Sequence, residues 1–219
     1  MNPIYVIRHA EPTDCSWNVG SHWVDCALTD LGRRQAESLA VRLKQDIGQT
    51  PCRIISSDLR RARQTAEPIA RELGLEIQTT PELREFHSGF IAGRTEEEIK
   101  RFVEEDTQPT RDLRANPDPE TMQQFAERVC GCLERLRTDG DGRLTLVFCH
   151  YGVTLTILAW WMQLQRDEAG ETAASFDANL ASIAVLKLNR AKTKRILERV
   201  NDTAHLYMAG LSKPMSVTG

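Results

Sequence analysis

Several features are missing from this 219-residue sequence, and each absence removes a class of protein. No apolar run is long enough for a bilayer: the stretch from Ile157 to Met162 with its neighbours falls well short of the roughly 20 residues a spanning helix needs, so no membrane partner is expected. An excess of one charge is also lacking. Lys and Arg number 28 against 31 Asp and Glu, a net charge of -3, so the surface as a whole is no nucleic-acid footprint. A secretory h-region is absent because Arg8 and His9 interrupt the first apolar run at once. Together these absences lead to the expectation of a cytoplasmic protein. The six cysteines (Cys15, Cys26, Cys52, Cys130, Cys132, Cys149) show no Cys-x-x-Cys spacing and are expected as free thiols in that compartment. Cys130 and Cys132, two apart in a helical stretch, point to different faces and do not suit a metal. Carboxylates nowhere cluster with histidines at metal-ligand spacing. There is no internal repeat, low-complexity tract or clear linker, and the chain is long enough for one domain with a sizeable core. The sequence carries no signal for oligomeric state.

What is present begins with Pro3-Ile4-Tyr5-Val6-Ile7-Arg8-His9-Ala10-Glu11-Pro12. An unalternated apolar run closed by turn residues is the pattern of a strand buried on both faces. Its C-terminal end, where a parallel sheet opens its ligand crevice, carries Arg8 and His9. By itself an Arg-His pair is most often ordinary surface. A second apolar run, Leu144 to Cys149, also ends in a histidine, His150. If the two strands are central neighbours, their imidazoles meet in one crevice.

Between these strands the chain alternates strand and helix. A long loop spans Glu11 to Ala27, and long loops at strand ends are often functional. Thr29 is the expected N-cap of an amphipathic helix from about Leu31, with Ala36, Leu39, Ala40, Leu43 and Ile47 on its apolar face. Cys52–Ser56 reads as a strand, a helix ending at Gly74 follows, and Leu75–Thr79 reads as a third strand. Leu83 to Arg94 reads as a glycine-containing loop, Thr95 and Glu98 as a capping box, and Asp106 to Pro119 as exposed loop. Pro119 suits the first turn of the next helix, whose stripe holds Phe125, Ala126, Val129, Leu133 and Leu136. A very apolar helix from about Val153 to Gln163, strands near Ala181–Leu188 and Arg195–Val200, and a polar tail complete the chain. The expected fold is α/β: a three-layer sandwich with a mostly parallel central sheet and helices on both faces. One domain, 1–219, is expected, with an insertion around 83–118 over the site.

Three arginines crowd the first turns of the second helix, where the dipole favours anions. Arg60 and Arg63 are read as a solvated face. Arg61, beside the apolar stripe and the preceding strand end, is placed to turn into the crevice, where an anion between it and Arg8 would explain its position.

These stretches together resemble the histidine phosphatase superfamily, also called the phosphoglycerate mutase-like family. Arg8-His9-Ala10-Glu11 is similar to its Arg-His-Gly-Glu signature, and Asp25 to Ala36 to the segment leading into its first helix. Ser57 to Ala66 is similar to its second block. Leu83-Arg84-Glu85 with Gly89 and Gly93-Arg94-Thr95 resembles the block holding its acid, Cys149-His150-Tyr151-Gly152-Val153 that of its second histidine, and Asn201 to Leu206 a common ending. The resemblance implies His9 as the nucleophile that takes a phosphoryl group, Arg8, Arg61 and His150 as donors to its oxygens, and Glu85 as general acid and then base. It implies neither metal nor cofactor. Sequence spacing alone leaves Glu11, Asp14, Glu82 and Glu85 all open as the acid.

The sequence departs from the family pattern at several points. Ala10 replaces the signature glycine, and Pro12 stands where the family usually has a hydroxyl residue. Trp17-Asn18 lies further along than the family's Trp-Asn pair, and Asn18 would be a phosphate ligand. Tyr151 replaces a glycine and would narrow the pocket. Phe90-Ile91-Ala92-Gly93 lacks the usual Trp-Glu-Gly. His22, His87 and His205 are expected as satisfied structural histidines. The resemblance implies a cofactor-independent phosphatase for a small phosphorylated metabolite. A phosphoglycerate mutase is a first alternative, although the insertion lacks that group's Arg-Arg segment, for which Arg111 and Arg114 are partial substitutes. A regulatory module with a disabled site is a second, although every catalytic position is filled.

Overall fold

The apolar run near the N-terminus forms β1 (Ile4–Arg8). Successive side chains of a strand point to opposite faces. Ile4 and Val6 enter one apolar cluster while Tyr5 and Ile7 enter another, and both clusters are buried. Such a strand has to be apolar at every position, which is why the run does not alternate. The computed structural model describes residues 2–13, 23, 25–87, 97, 120–139, 141–165 and 175–212.

β1 lies inside a six-stranded sheet with β2 (Cys52–Ser57), β3 (Ile77–Thr80), β4 (Leu144–Cys149), β5 (Ile183–Leu188) and β6 (Arg195–Asp202). The order is β3-β2-β4-β1-β5-β6. The first four of these run parallel, β5 is antiparallel to β1, and β6 to β5. On one face α1 (Asp30–Ile47), α2 (Arg60–Leu73) and a short α5 (Ala204–Met208) pack through Leu39, Leu43, Ile69 and Leu206 against Ile7, Ile54 and Phe148. On the other, α3 (Met122–Thr138) and α4 (Tyr151–Trp161) pack through Phe125, Val129, Val153 and Ile157 against Val6, Ile55 and Val147. The architecture is the expected three-layer α/β sandwich on a mostly parallel sheet.

Local chemistry sets the element ends. The Thr29 hydroxyl caps α1 by accepting from Gly32 N at 2.9 Å. Gly74 ends α2 in the left-handed region at φ 63°, where glycine carries no Cβ penalty. Leu75 N donates to Ala70 O in closing that helix, so β3 starts at Ile77 and not at the expected Leu75. α3 starts at Met122, three residues after Pro119, because Thr121 and Gln124 form a reciprocal capping box; Pro119 itself, with the Thr95–Glu98 pair, lies outside the described residues. The expected polar tail contains α5, which is too short to show a periodicity and is held by Leu206 on α1. Among the described cysteines, Cys52, Cys130, Cys132 and Cys149 are in no disulfide, but Cys26 is disulfide-bonded. This corrects the expectation of six free thiols: a disulfide needs two sulfurs brought together by the path of the chain, which spacing does not show. No described helix is long and apolar enough to cross a membrane.

His205 corrects a second expectation. It is buried in α5, 3% exposed, and neither ring nitrogen has a hydrogen-bond partner among the described residues. Burial pushes its pKa from 6.5 down to about 4. Between those values the unfolded chain binds a proton that the folded chain does not, so stability rises with pH across that window and is lost as pH falls through it. The lost stability is on the order of 3 kcal/mol. His205→Leu should remove that part of the slope in urea unfolding midpoints measured from pH 7 to 4. An unchanged slope would show that His205 is neutral in neither state or both.

Candidate active site

The site is assembled where β1 and β4 end. Their parallel pairing sets Arg8 opposite Cys149, and His9 N donates to Cys149 O at 2.9 Å. His9 and His150 therefore leave adjacent strand ends side by side, with ring centroids 5.2 Å apart. The loop after His9 is tied down at each peptide. Ala10 N donates to the Thr65 hydroxyl at 2.9 Å, that hydroxyl donates to Arg61 O at 2.7 Å, and Glu11 N donates to Gln35 Oε1 at 3.0 Å. Gly32 allows the loop to lie against α1, since a Cβ there would stand 2.1 Å from Glu11 O.

His9 is 5% exposed, and its Nδ1 is 2.8 Å from Ala10 O. A carbonyl only accepts, so Nδ1 carries the proton and Nε2 presents a lone pair. Burial, then the charges of Arg61 and Arg8, hold the imidazole well below its ordinary pKa, so it is neutral at pH 7. A neutral imidazole with a defined tautomer is a nucleophile.

Arg8 and Arg61 bring two guanidinium groups to the same place. The Arg8 NH1 group donates to Ala178 O at 2.6 Å, and its Nε is buried with no partner among the described residues. Arg61 is 5% exposed, whereas its neighbours Arg60 and Arg63 are exposed, as expected. Burial lowers the pKa of both, that of Arg61 to about 10, and the Glu85 carboxylate opposes the shift in each. Both remain cationic at neutral pH, which makes an anion-attracting crevice around the neutral His9. His150 is fully buried, with Nε2 2.9 Å from the Ser57 hydroxyl. Tyr151 is 39% exposed beside it, with the Arg8 guanidinium 4.9 Å from its ring centroid. Asn18 lies outside the described residues.

Of the four carboxylates the spacing left open, Glu85 faces the two guanidiniums. Its Oε2 accepts from Gly152 N and its Oε1 from Phe86 N, both at 2.9 Å. Glu11 turns away and accepts from the Thr29 hydroxyl at 3.1 Å, at the start of α1. Glu82 pairs with Arg135 on the outside of the fold. Asp14 lies outside the described residues. Three supporting residues were not singled out from sequence: Ser57 against His150, Thr65 under the Ala10 peptide, and Gly152 against Glu85. Ser57 and Thr65 lie inside the block that resembles the family's second motif, but a small hydroxyl there reads as capping or packing until its partner is known. Among the described residues, no group of three His, Cys, Asp or Glu side chains is placed to hold a metal.

Arg8, His9 and His150 stand at the ends of β1 and β4 with Arg61 and Glu85 beside them, and the two guanidiniums suit the crevice to an anion. The chain belongs to the histidine phosphatase superfamily (branch 1), whose family model matches residues 4–203. It is 35% identical over 167 residues to a probable phosphoglycerate mutase GpmB of Photorhabdus laumondii, covering 72% of this chain and 73% of that protein. The alpha-ribazole phosphatase of Shigella flexneri superposes with a TM-score of 0.72 at 22% identity, covering 91% of this chain and 96% of that one. A mycobacterial glucosyl-3-phosphoglycerate phosphatase, solved with inorganic phosphate, gives 0.66 at 25% identity, covering 94% and 99%.

Gly152 makes this geometry sensitive to one methyl group. A Cβ there would stand 2.6 Å from Glu85 Oε1, so the carboxylate would have to leave the amide that holds it. A displacement on the order of 1 Å at a reacting group costs about 10²-fold. With Glu85 as the acid that the family resemblance implies, Gly152→Ala should lower turnover of an alkyl phosphate by about that factor with the circular dichroism spectrum unchanged. Turnover equal to the parent would mean that the Glu85–Gly152 contact does not matter.

Proposed function

We propose that this protein hydrolyses phosphomonoesters of small metabolites through a phosphohistidine at His9. The observation that carries the reading is a neutral, buried imidazole, with its Nε2 lone pair unprotonated, beside the buried guanidinium of Arg61 and the half-buried one of Arg8. In the first step His9 Nε2 attacks phosphorus, the bond to the ester oxygen breaks, and the Glu85 carboxyl gives that oxygen a proton. In the second, water attacks the phosphohistidine, Glu85 takes its proton, the P–N bond breaks and inorganic phosphate leaves. Arg8, Arg61 and His150 donate to the phosphoryl oxygens, and a guanidinium fork suits two of them at once. Charge that spreads over those oxygens in the transition state meets donors already in place. Tyr151 completes the substrate contacts in this reading; Asn18 and most of the expected insertion at 83–118 lie outside the described residues. No metal takes part. A cytoplasmic location, away from membranes and nucleic acid, belongs to the same reading, and the disulfide at Cys26 speaks against it.

The name of the 35%-identical relative favours a second reading, phosphoglycerate mutase-type transfer, in which the phosphohistidine returns its group to another hydroxyl of the same molecule. Product analysis on 3-phosphoglycerate separates the two: release of inorganic phosphate supports hydrolysis, and isomer without phosphate release supports the mutase.

Rapid quenching with labelled substrate in excess chelator should trap acid-labile, alkali-stable label on the protein. The label should be absent from His9→Ala. An unlabelled parent enzyme that nevertheless turns over would overturn the phosphohistidine, and turnover restored only by a divalent ion would overturn the metal-free scheme.

The arginines divide in the same assay. Arg61→Ala should slow phosphoenzyme formation roughly 10³-fold, the scale of an arginine acting on a transferred phosphoryl group. Arg60→Ala and Arg63→Ala should leave the rate close to the parent. Equal losses at all three would remove Arg61 from the site.

A further inference from the structure

Glu85 sits in a stretch that has almost no regular structure of its own: a single 3-10 turn, Pro81–Leu83, followed by loop. A catalytic carboxyl needs a fixed position, and here the fixing comes from a side chain on another element. We propose that Arg128, on α3, is a positioning residue that holds the backbone of Glu85 from below; this rests on the reading of Glu85 as the general acid.

The Arg128 guanidinium has five N–H groups, and the segment and its partner take all of them. NH1 donates to Glu82 O at 2.7 Å and to Arg84 O at 3.0 Å. NH2 donates to Glu85 O at 3.4 Å and to Glu120 Oε1 at 2.5 Å, and Nε donates to Glu120 Oε2 at 3.0 Å. Glu120 continues the frame: the same Oε1 accepts from His87 N at 2.8 Å, and Glu120 N donates to His87 O at 3.1 Å. From the other side Trp23 Nε1 donates to Glu85 O at 2.7 Å. Trp23 is itself fixed by the Arg84 guanidinium 4.6 Å from its ring centroid and by the His87 ring, packed edge-on with centroids 4.3 Å apart. The carbonyl of the acid residue is thus held from two directions, while its carboxylate is free to meet Gly152 N and the crevice.

Only a planar fork meets this pattern. A lysine ammonium has three donors on a point charge and cannot serve three carbonyls and both oxygens of a carboxylate together. The hydrogen bonds and ring contact of Arg128 run to Glu82, Arg84, Glu85, Glu120 and Phe125, so its effect on chemistry has to pass through the Glu85 segment.

The test measures the rate of phosphoenzyme formation in single turnover on an alkyl phosphate and on p-nitrophenyl phosphate. An alkoxide needs the acid's proton and a nitrophenolate barely does. General acid help is worth about 10²–10⁴-fold. Arg128→Lys should lose a part of that, about 10- to 10²-fold, on the alkyl ester and stay near the parent on the aryl ester. In a Glu85→Gln background the same change should cost little more, because residues that act through one group are not additive. Glu120→Gln and Trp23→Phe should show the same selectivity with smaller losses, and they carry the test if Arg128→Lys does not fold. Equal losses on both esters, or losses that multiply with Glu85→Gln, would overturn the proposal and leave Arg128 a structural residue. Should Glu85→Gln itself fail to discriminate between the esters, the acid assignment falls as well. Discrimination by Glu85→Gln without any by the other variants defeats the positioning role alone.

Discussion

The parallel pairing of β1 with β4 carries the rest of the site. It sets Arg8 opposite Cys149 and continues one step past the strands through the bond from His9 N to Cys149 O. A strand has a period of two, so a slip of one residue would send His9 and Arg8 to exchanged faces and swap the β1 side chains between the two apolar clusters they fill. Burial on both faces makes that slip costly: Val6, Ile7, Val147 and Phe148 are all fully buried. Fully burying a side chain of this size contributes about 1.5–3 kcal/mol. The same apolar packing that holds the sheet therefore fixes the distance between the two imidazoles.

On this frame the fold places charge where it is expensive. Arg61 is buried and Arg8 half-buried near it, and each opposes the protonation of His9. The Glu85 carboxylate offsets part of the repulsion, and backbone groups meet part of the desolvation: Ala178 O for Arg8, Gly152 N and Phe86 N for Glu85. The loop that presents Ala178 is supported in turn by Ala181 N donating to His9 O and by Asn179 N donating to the Asn201 side chain at 2.6 Å. Asn201 adopts φ 51°, a left-handed conformation that asparagine tolerates better than most residues. The segment from Asn201 onward resembles a common family ending, and here it acts on the site through the loop that receives Arg8.

Much of this was legible in the sequence because it is written in short patterns. Apolar runs without alternation marked β1 and β4 as central strands, Thr29 and Gly74 marked helix ends, and the contrast between Arg61 and its two neighbours followed from one apolar stripe. Shorter signals misled. Leu75 was drawn into strand β3 because closure of a helix through Ala70 O leaves no residue signature. The helix at Ala204–Met208 is below the length at which a 3.6-residue period can be seen. His205 was expected to be satisfied, and whether a buried ring has a partner depends on packing from α1 and α5 together.

The sequence by itself determined the strand and helix order, the two histidines at strand ends and the family the chain belongs to, since these rest on local periodicity and on motifs of a few residues. The family block singled out Glu85, and tertiary structure alone showed where the described carboxylates turn. Glu11, Glu82 and Glu85 are chemically alike in sequence, but Glu11 binds the start of α1, Glu82 pairs with Arg135 outside, and Glu85 meets Gly152 N. It also decided that Arg128, 43 residues beyond Glu85, spends its guanidinium on that residue's backbone. Contacts of this kind join elements distant in the chain, and no local pattern encodes the direction in which a side chain turns once the layers have packed.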